Sequence, residues 1–358
     1  MFDLWRCVVQ ITRWLVGLIN AFWRKTTAPS IEFDTGRSIR LGKQIAEGGF
    51  SYVFEAFDRE GIKYAVKRIH VGDHDSVQAC LREAGVHRSL HHPHLMPLLG
   101  IHQEKVVVYM LFPHMPQSLR GVVNKSVFES STPAKKPFSE LKVLQLMHQI
   151  MSGVSAMHER NYSHRDIKLE NILMDTTGNP VLMDFGSVGS LEEQISTRQQ
   201  VLTMVETASQ HTTLPYRPPE LLEGGVRAGD DAVDFGKVDV WSLGCTLFAM
   251  CFGASPFECE FGRHDGGKIR IVECTQLRIL GNLPTPPADW YSPLLLETIK
   301  LFLTEDRHKR PTLDEAMVEI EALIQKLGGR VPKVVIKGGG KDDDGSDLDA
   351  LLSSNRFV

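Results

Sequence analysis

A strand-patterned stretch followed by a helix-patterned one is the feature that most narrows what this 358-residue chain can fold into. Apolar and polar residues alternate over 39–46, 52–58 and 63–69, the period of half-buried strands, and the apolar run 106–111 is read as a further strand. From about residue 114 the apolar period becomes helical, most clearly over 139–158, where Ser139 is placed to cap the helix start. The expected fold class is α+β and bilobal, a smaller strand-rich lobe over 38–113 and a larger helical lobe over 114–328, with a cleft between them. A surface insertion is expected at 124–137, which is rich in Ser, Thr, Pro and Lys.

The two ends are different in kind. In residues 1–25 the polar or small positions are Asp3, Arg6, Gln10, Arg13, Gly17, Asn20 and Arg24, a narrow stripe down one face of a helix. Trp5, Trp14 and Trp23 lie among the apolar remainder. Arg6 and Arg13 interrupt any membrane span, and no unbroken apolar stretch with a small-residue cleavage site marks a secretory signal. The pattern fits a helix lying in a membrane surface, with palmitate on Cys7 as a second anchor. Docking on the chain itself and a mitochondrial presequence are the competing readings. From 329 onward, glycines and the run Asp342-Asp343-Asp344 predict a disordered acidic tail. Asp347 with Leu351-Leu352 resembles a dileucine sorting signal, which would bring a sorting adaptor.

A formal net charge of −4 argues against a chain that coats nucleic acid. Six cysteines without a C-x-x-C pair fit a reducing, cytoplasmic setting. His87, His91, His92 and His94 crowd together, but Pro93 breaks the run and no Cys or carboxylate completes a metal-ligand set.

The chemistry is concentrated in short segments. Ala46-Glu47-Gly48-Gly49-Phe50-Ser51-Tyr52-Val53, between two predicted strands, would let backbone N–H groups approach phosphates, although a glycine pair is also an ordinary hairpin turn. Lys67, in the apolar strand Tyr64-Ala65-Val66-Lys67, needs an anion if buried, and Glu83 on the next helix offers one. His164-Arg165-Asp166-Ile167-Lys168-Leu169-Glu170-Asn171 is followed, eighteen residues after Asp166, by Asp184-Phe185-Gly186. Phosphoryl transfer needs a carboxylate to orient a hydroxyl, oxygen ligands for Mg²⁺ and cations on the phosphates; Asp166, Asn171, Asp184, Lys67 and Lys168 are those groups.

In these segments, in their order and in their spacing, the chain resembles the eukaryotic protein kinases over residues about 40–325. Arg217-Pro218-Pro219-Glu220, Asp239-Val240-Trp241-Ser242-Leu243-Gly244 and Lys309-Arg310-Pro311 extend the match. The resemblance implies a serine/threonine protein kinase using ATP and Mg²⁺ on protein substrates. Asp166 would be the catalytic base and Lys168 would meet the γ-phosphate. Lys67 would hold the α/β-phosphates and pair with Glu83, Asn171 and Asp184 would hold Mg²⁺, and Thr213 would steady the catalytic loop. Ala46, Glu47, Gly48, Gly49, Phe50, Ser51, Val53 and Ala65 would line the nucleotide. Leu111 would be the gatekeeper, with the Phe112 carbonyl and the His114 N–H on adenine. Glu220, Asp239 and Arg310 would be structural. Arg165 would bind a phosphorylated activation segment, with Ser187, Ser196, Thr197, Thr212 and Thr213 as candidates.

Glu47-Gly48-Gly49-Phe50-Ser51-Tyr52-Val53 is similar to the glycine loop of the Numb-associated kinase group. Pro180-Val181-Leu182-Met183-Asp184, Trp241-Ser242-Leu243-Gly244-Cys245 and Ala249-Met250-Cys251-Phe252-Gly253 resemble its myristoylated and palmitoylated subfamily. The 36 positions from Asp184 to Glu220 have helical character over 191–208, as that group's activation segments do. Two departures stand out. Ala46 replaces the first loop glycine, at some expected cost in nucleotide affinity. Phe2 precludes N-myristoylation, so helix 1–25 would replace the lipid anchor on an intracellular membrane, Golgi or endosomal by resemblance. The alternatives are a pseudokinase scaffold, which the complete residue set disfavours, a small-molecule kinase, and a trafficking adaptor.

Overall fold

The computed structural model describes residues 30–48, 51–72, 74–129, 136–262, 269–287 and 289–334. Segment 1–25 with Cys7, the loop residues Gly49 and Phe50, and the Leu351-Leu352 motif lie outside the described residues. The chain divides into two compact units. One holds the described residues up to Cys80 together with Leu98–His114; the other holds Leu81–Pro97 and the described residues from Met115 onward.

In the first unit, strands β1 (Ser30–Glu32), β2 (Ser38–Glu47), β3 (Ser51–Phe57), β4 (Lys63–His70), β5 (Gly100–Glu104) and β6 (Val107–Pro113) form one sheet in the order β1-β2-β3-β4-β6-β5. Its pairings are antiparallel. The alternating apolar residues bury one face, where Phe33, Ile39, Ala56, Val66, Tyr109 and Leu111 pack together. Strand β5, Gly-Ile-His-Gln-Glu, carries no alternation to announce it and is held by pairing with β6. Gly100 is required there, because a Cβ would come within 2.9 Å of the Phe33 side chain.

The division falls inside helix α1 (His74–Ser89), so that 81–97, expected in the strand-rich lobe, groups with the helical unit. That unit contains α2 (Leu119–Val127), α3 (Glu140–His158), α4 (Arg198–His211), α5 (Phe235–Phe252), α6 (Gln276–Ile279), α7 (Pro293–Phe302) and α8 (Leu313–Lys326). Short strands β7 (Gln117–Ser118), β8 (Tyr162–Ser163), β9 (Ile172–Met174), β10 (Pro180–Leu182), β11 (Gly189–Ser190), β12 (Glu192–Glu193), β13 (Val233–Asp234), β14 (Cys259–Phe261) and β15 (Ile269–Ile271) pair between them. Ser139 caps α3, its side chain accepting from the Lys142 N–H. Helix α5 is apolar on every side and buried almost throughout, so it forms the centre on which α3, α7 and α8 pack. It is long and apolar enough to cross a membrane, but 94% of it is buried inside the protein, as befits a core helix.

Two boundaries differ from expectation. Asn124–Val127 belong to α2 rather than to a surface insertion, because Leu119, Val123 and Val127 recur at helical spacing and are buried; residues 130–135 lie outside the described residues. The start of the tail is also anchored. Gly328, at φ +71°, ends α8 with its N–H on the Gln325 carbonyl, and the Gly329 N–H reaches Ile324, a paired C-terminal cap. A Cβ on Gly329 would stand 2.3 Å from Leu141, and the Arg330 carbonyl accepts from Gln145 Nε2. Glycine, read as a disorder signal, here permits close packing.

Candidate active site

The hairpin of β9 and β10 pairs Ile172 with Leu182. One step beyond its open end, the Met183 N–H donates to the Asn171 carbonyl at 2.8 Å. Asn171, the last residue of a 3₁₀ turn, and Asp184 thus come side by side although twelve positions separate Asn171 from Met183. The Asp184 backbone is left-handed (φ 67°, ψ 80°), a conformation a non-glycine residue adopts at some cost, and such residues cluster at functional sites. A Cβ built on Gly186 would lie 3.6 Å from Asp184 Oδ1 and 3.7 Å from Glu83 Oε2, so Glu83 of α1 faces the same spot.

Asp166 is buried and both of its carboxylate oxygens are fixed. Oδ1 accepts from the Thr213 N–H (3.0 Å) and hydroxyl (2.7 Å). Oδ2 accepts from Lys168 Nζ (2.6 Å) and Asn171 Nδ2 (3.1 Å). Lys168 Nζ also donates to Thr213 Oγ1 at 2.6 Å, closing a ring of three side chains. Asn171 uses Nδ2 on Asp166, which turns Oδ1, the cation-binding end of the amide, the other way. One carboxylate and one amide oxygen suit a hard divalent cation that keeps further oxygen ligands from phosphate and water.

A second buried carboxylate holds the loop itself. Asp239, on α5, accepts from the His164 N–H (2.9 Å), the Arg165 N–H (2.8 Å) and His158 Nε2 (2.8 Å). Those bonds hold Arg165 in its own left-handed conformation (φ 69°). The His164 ring takes the Asp166 N–H on Nδ1 and directs Nε2 to the Met183 carbonyl, joining the loop to the Asp184 segment. Phe185 packs edge-on to His164 and stacks on His87 with ring centroids 4.1 Å apart. His94 bonds the Pro180 carbonyl, His92 accepts the His94 N–H, and burial pushes His92 down to about 4. His87, His92 and His94 therefore build the scaffold around the hairpin.

The protein kinase domain family matches residues 39–319. The chain belongs to the protein kinase family. Among its curated relatives, human serine/threonine-protein kinase 16 is 32% identical over 284 residues, covering 78% of this chain and 88% of that protein. The rat protein of the same name is 31% identical with the same coverage. Serine/threonine-protein kinase ppk13 of Schizosaccharomyces pombe is 28% identical over 80% of this chain and 91% of its own length. The chain is a serine/threonine protein kinase, an ATP-dependent enzyme acting on proteins, with the strand-rich and helical lobes of that fold.

The remaining expected site residues distribute as follows. In the kinase's strand-rich unit, Ala46 and Glu47 end β2 opposite Val53 and Tyr52, and the Gly48 N–H donates to the Ser51 carbonyl, which carries the β2–β3 pairing up to the edge of the glycine loop. Lys67 lies on β4 opposite Val53 and Met110, and Ala65 opposite Phe112. Directly opposed residues share a face. Val53, Ala65, Lys67, Met110 and Phe112 therefore line one face of the sheet. Leu111 does not: it opposes Val66 and is buried in the core on the other face. The Leu111 side chain, expected as the gatekeeper, thus lies on the core face of the sheet.

Arg165 is also engaged differently from expectation. Nη1 pairs with Glu193 at 2.7 Å, Nη2 donates to the Ser190 carbonyl at 2.7 Å, and the guanidinium lies 3.7 Å from the Phe235 ring centroid. A carboxylate of the segment itself occupies the place where a phosphate was expected. A Cβ on Gly189 would displace that guanidinium, so glycine there lets Arg165 take this position. Helix α4 lies in this segment, with a reciprocal cap between Thr197 and Gln200. Glu220 and Arg310 form a buried two-bond ion pair (2.6 and 3.0 Å). Sequence reasoning missed His158 and Glu193, whose partners are 81 and 28 positions away and leave no local pattern.

Proposed function

We propose that this kinase moves the γ-phosphoryl group of MgATP to serine and threonine hydroxyls of proteins, with Asp166 as the base. The observation that carries it is the buried Asp166 carboxylate, fixed by Thr213, Lys168 and Asn171. The acceptor oxygen attacks the γ-phosphorus, the bond to the β–γ bridging oxygen breaks, ADP leaves, and the hydroxyl proton passes to Asp166. Lys168 meets the transferring group and Lys67 holds the α/β-phosphates. Asn171 Oδ1 and the Asp184 carboxylate hold Mg²⁺, which supplies neutralisation of phosphate charge when bound. In a fluorescent-nucleotide titration, Mg²⁺ tightens binding to the native chain, and Asp184→Asn removes that gain. An equal gain in both proteins would contradict the assignment.

The glycine loop, the Trp241-Ser242-Leu243-Gly244-Cys245 stretch and helix α4 support placement in the Numb-associated group, near its myristoylated and palmitoylated subfamily. Residues 1–25 then bind an intracellular membrane, Golgi or endosomal, with Cys7 as a palmitoylation site and Leu351-Leu352 as an adaptor signal, and the kinase serves trafficking or secretory signalling. Full-length protein is expected to sediment with anionic vesicles and a chain starting at Ala28 to stay in the supernatant. Both staying soluble would end the membrane reading.

A further inference from the structure

Arg120, on the first turn of α2, ties together three segments that surround Asp166. Its Nε donates to Glu170 Oε1 at 2.7 Å, Nη1 to the Gly253 carbonyl at 2.6 Å and Nη2 to the Tyr216 hydroxyl at 3.3 Å. Glu170 sits between Lys168 and Asn171 on the 3₁₀ turn, where Leu169 and Asn171 point inward and Glu170 points out, its side chain 46% exposed. Tyr216 follows Thr213 by three residues. Burial alone would lower Arg120, but Tyr216 and Glu170 outweigh it and hold the guanidinium charged above its usual range. Glu258 also faces Arg120; burial pushes its carboxyl upward, and Oε1 is already taken by the Ser255 N–H. Of the two carboxylates, Glu170 is the one that Arg120 bonds directly.

A protein acceptor must bring its hydroxyl to Asp166, and Glu170 projects outward from the same 3₁₀ turn whose Asn171 bonds the Asp166 carboxylate at 3.1 Å, so the acceptor's flanking residues pass beside it. A half-exposed carboxylate there, left bare, would attract Lys or Arg side chains of the substrate. The chain supplies that cation itself. We infer that Arg120 is a specificity-determining residue: by pairing with Glu170 it makes the docking surface indifferent to basic residues beside the acceptor serine or threonine. This rests on the phosphotransfer reading above.

The test uses the full chain with one neutral acceptor peptide and a series carrying a single arginine at each of five positions on either side. For the native chain the kcat/KM ratio of arginine to neutral peptide is expected to stay within about threefold at every position. Arg120→Gln exposes Glu170 and raises the ratio about tenfold at one or two positions, the scale of one partly screened charge pair. Arg120→Lys keeps the native profile, and adding Glu170→Gln to Arg120→Gln flattens it again. Should Arg120→Gln not fold, Glu170→Gln alone removes the carboxylate that Arg120 Nε bonds, and preference then moves to aspartate-flanked peptides. A flat profile in Arg120→Gln and in Glu170→Gln, or a tenfold arginine preference in the native chain, overturns the inference while leaving transfer to the neutral peptide intact. Absence of transfer to any peptide by the native chain overturns the parent reading as well.

Discussion

Asp166→Asn is expected to lower kcat for protein phosphorylation by roughly 10²–10⁴-fold while leaving nucleotide binding and thermal stability near native. The substitution keeps the shape of the side chain and an acceptor oxygen for Thr213, but it removes the oxygen that accepts from Lys168 and Asn171 and would take the hydroxyl proton. The change should therefore appear in kcat far more than in KM for ATP, because Asp166 is not among the residues proposed to hold nucleotide. Steady-state kinetics with a protein substrate, alongside a nucleotide titration, checks both parts. A variant retaining more than a tenth of native kcat would mean that another group receives the proton.

The second large effect concerns stability. Arg310 is fully buried, and its guanidinium donates to both oxygens of Glu220, to the Thr304 and Lys237 carbonyls, and lies over Trp241. Removing one partner of such a pair leaves an uncompensated charge without water. Glu220→Gln or Arg310→Gln is expected to cost about 3–5 kcal/mol. The two together should cost less than the sum of the single losses, since the double variant buries no net charge. Thermal unfolding of the four proteins measures the cycle. Single variants within about 1 kcal/mol of native would show that the pair is replaceable by solvent or by rearrangement.

What could be read from the sequence follows from how far each role reaches along the chain. Asp166, Lys168 and Asn171 lie within six positions, and their geometry is made by one loop and one 3₁₀ turn, so the segment announces itself. The α3 start was legible for the same reason, because Ser139 caps a helix whose apolar residues begin two positions later, at Leu141. The face of Leu111 was not. The run from Val106 to Pro113 is apolar at nearly every position, so alternation cannot choose a face, and only pairing with β4 puts Leu111 opposite Val66 and Phe112 opposite Ala65. Arg165 and Glu193 meet because β11 pairs with β8 and β12 with β13, short ladders that no local pattern marks. Gly329 looked like a linker residue until the close approach of Leu141 gave it a packing role.

The most direct test follows the label. Purified full-length kinase is incubated with γ-labelled MgATP and a generic protein substrate, and the labelled residues are identified after acid hydrolysis. Label recovered on phosphoserine and phosphothreonine, and lost in Asp166→Asn, is the result expected of the buried Asp166–Lys168–Thr213 ring. Nucleotide bound by the native chain with no label transferred to any residue would contradict it, and would leave the fold as a binding module.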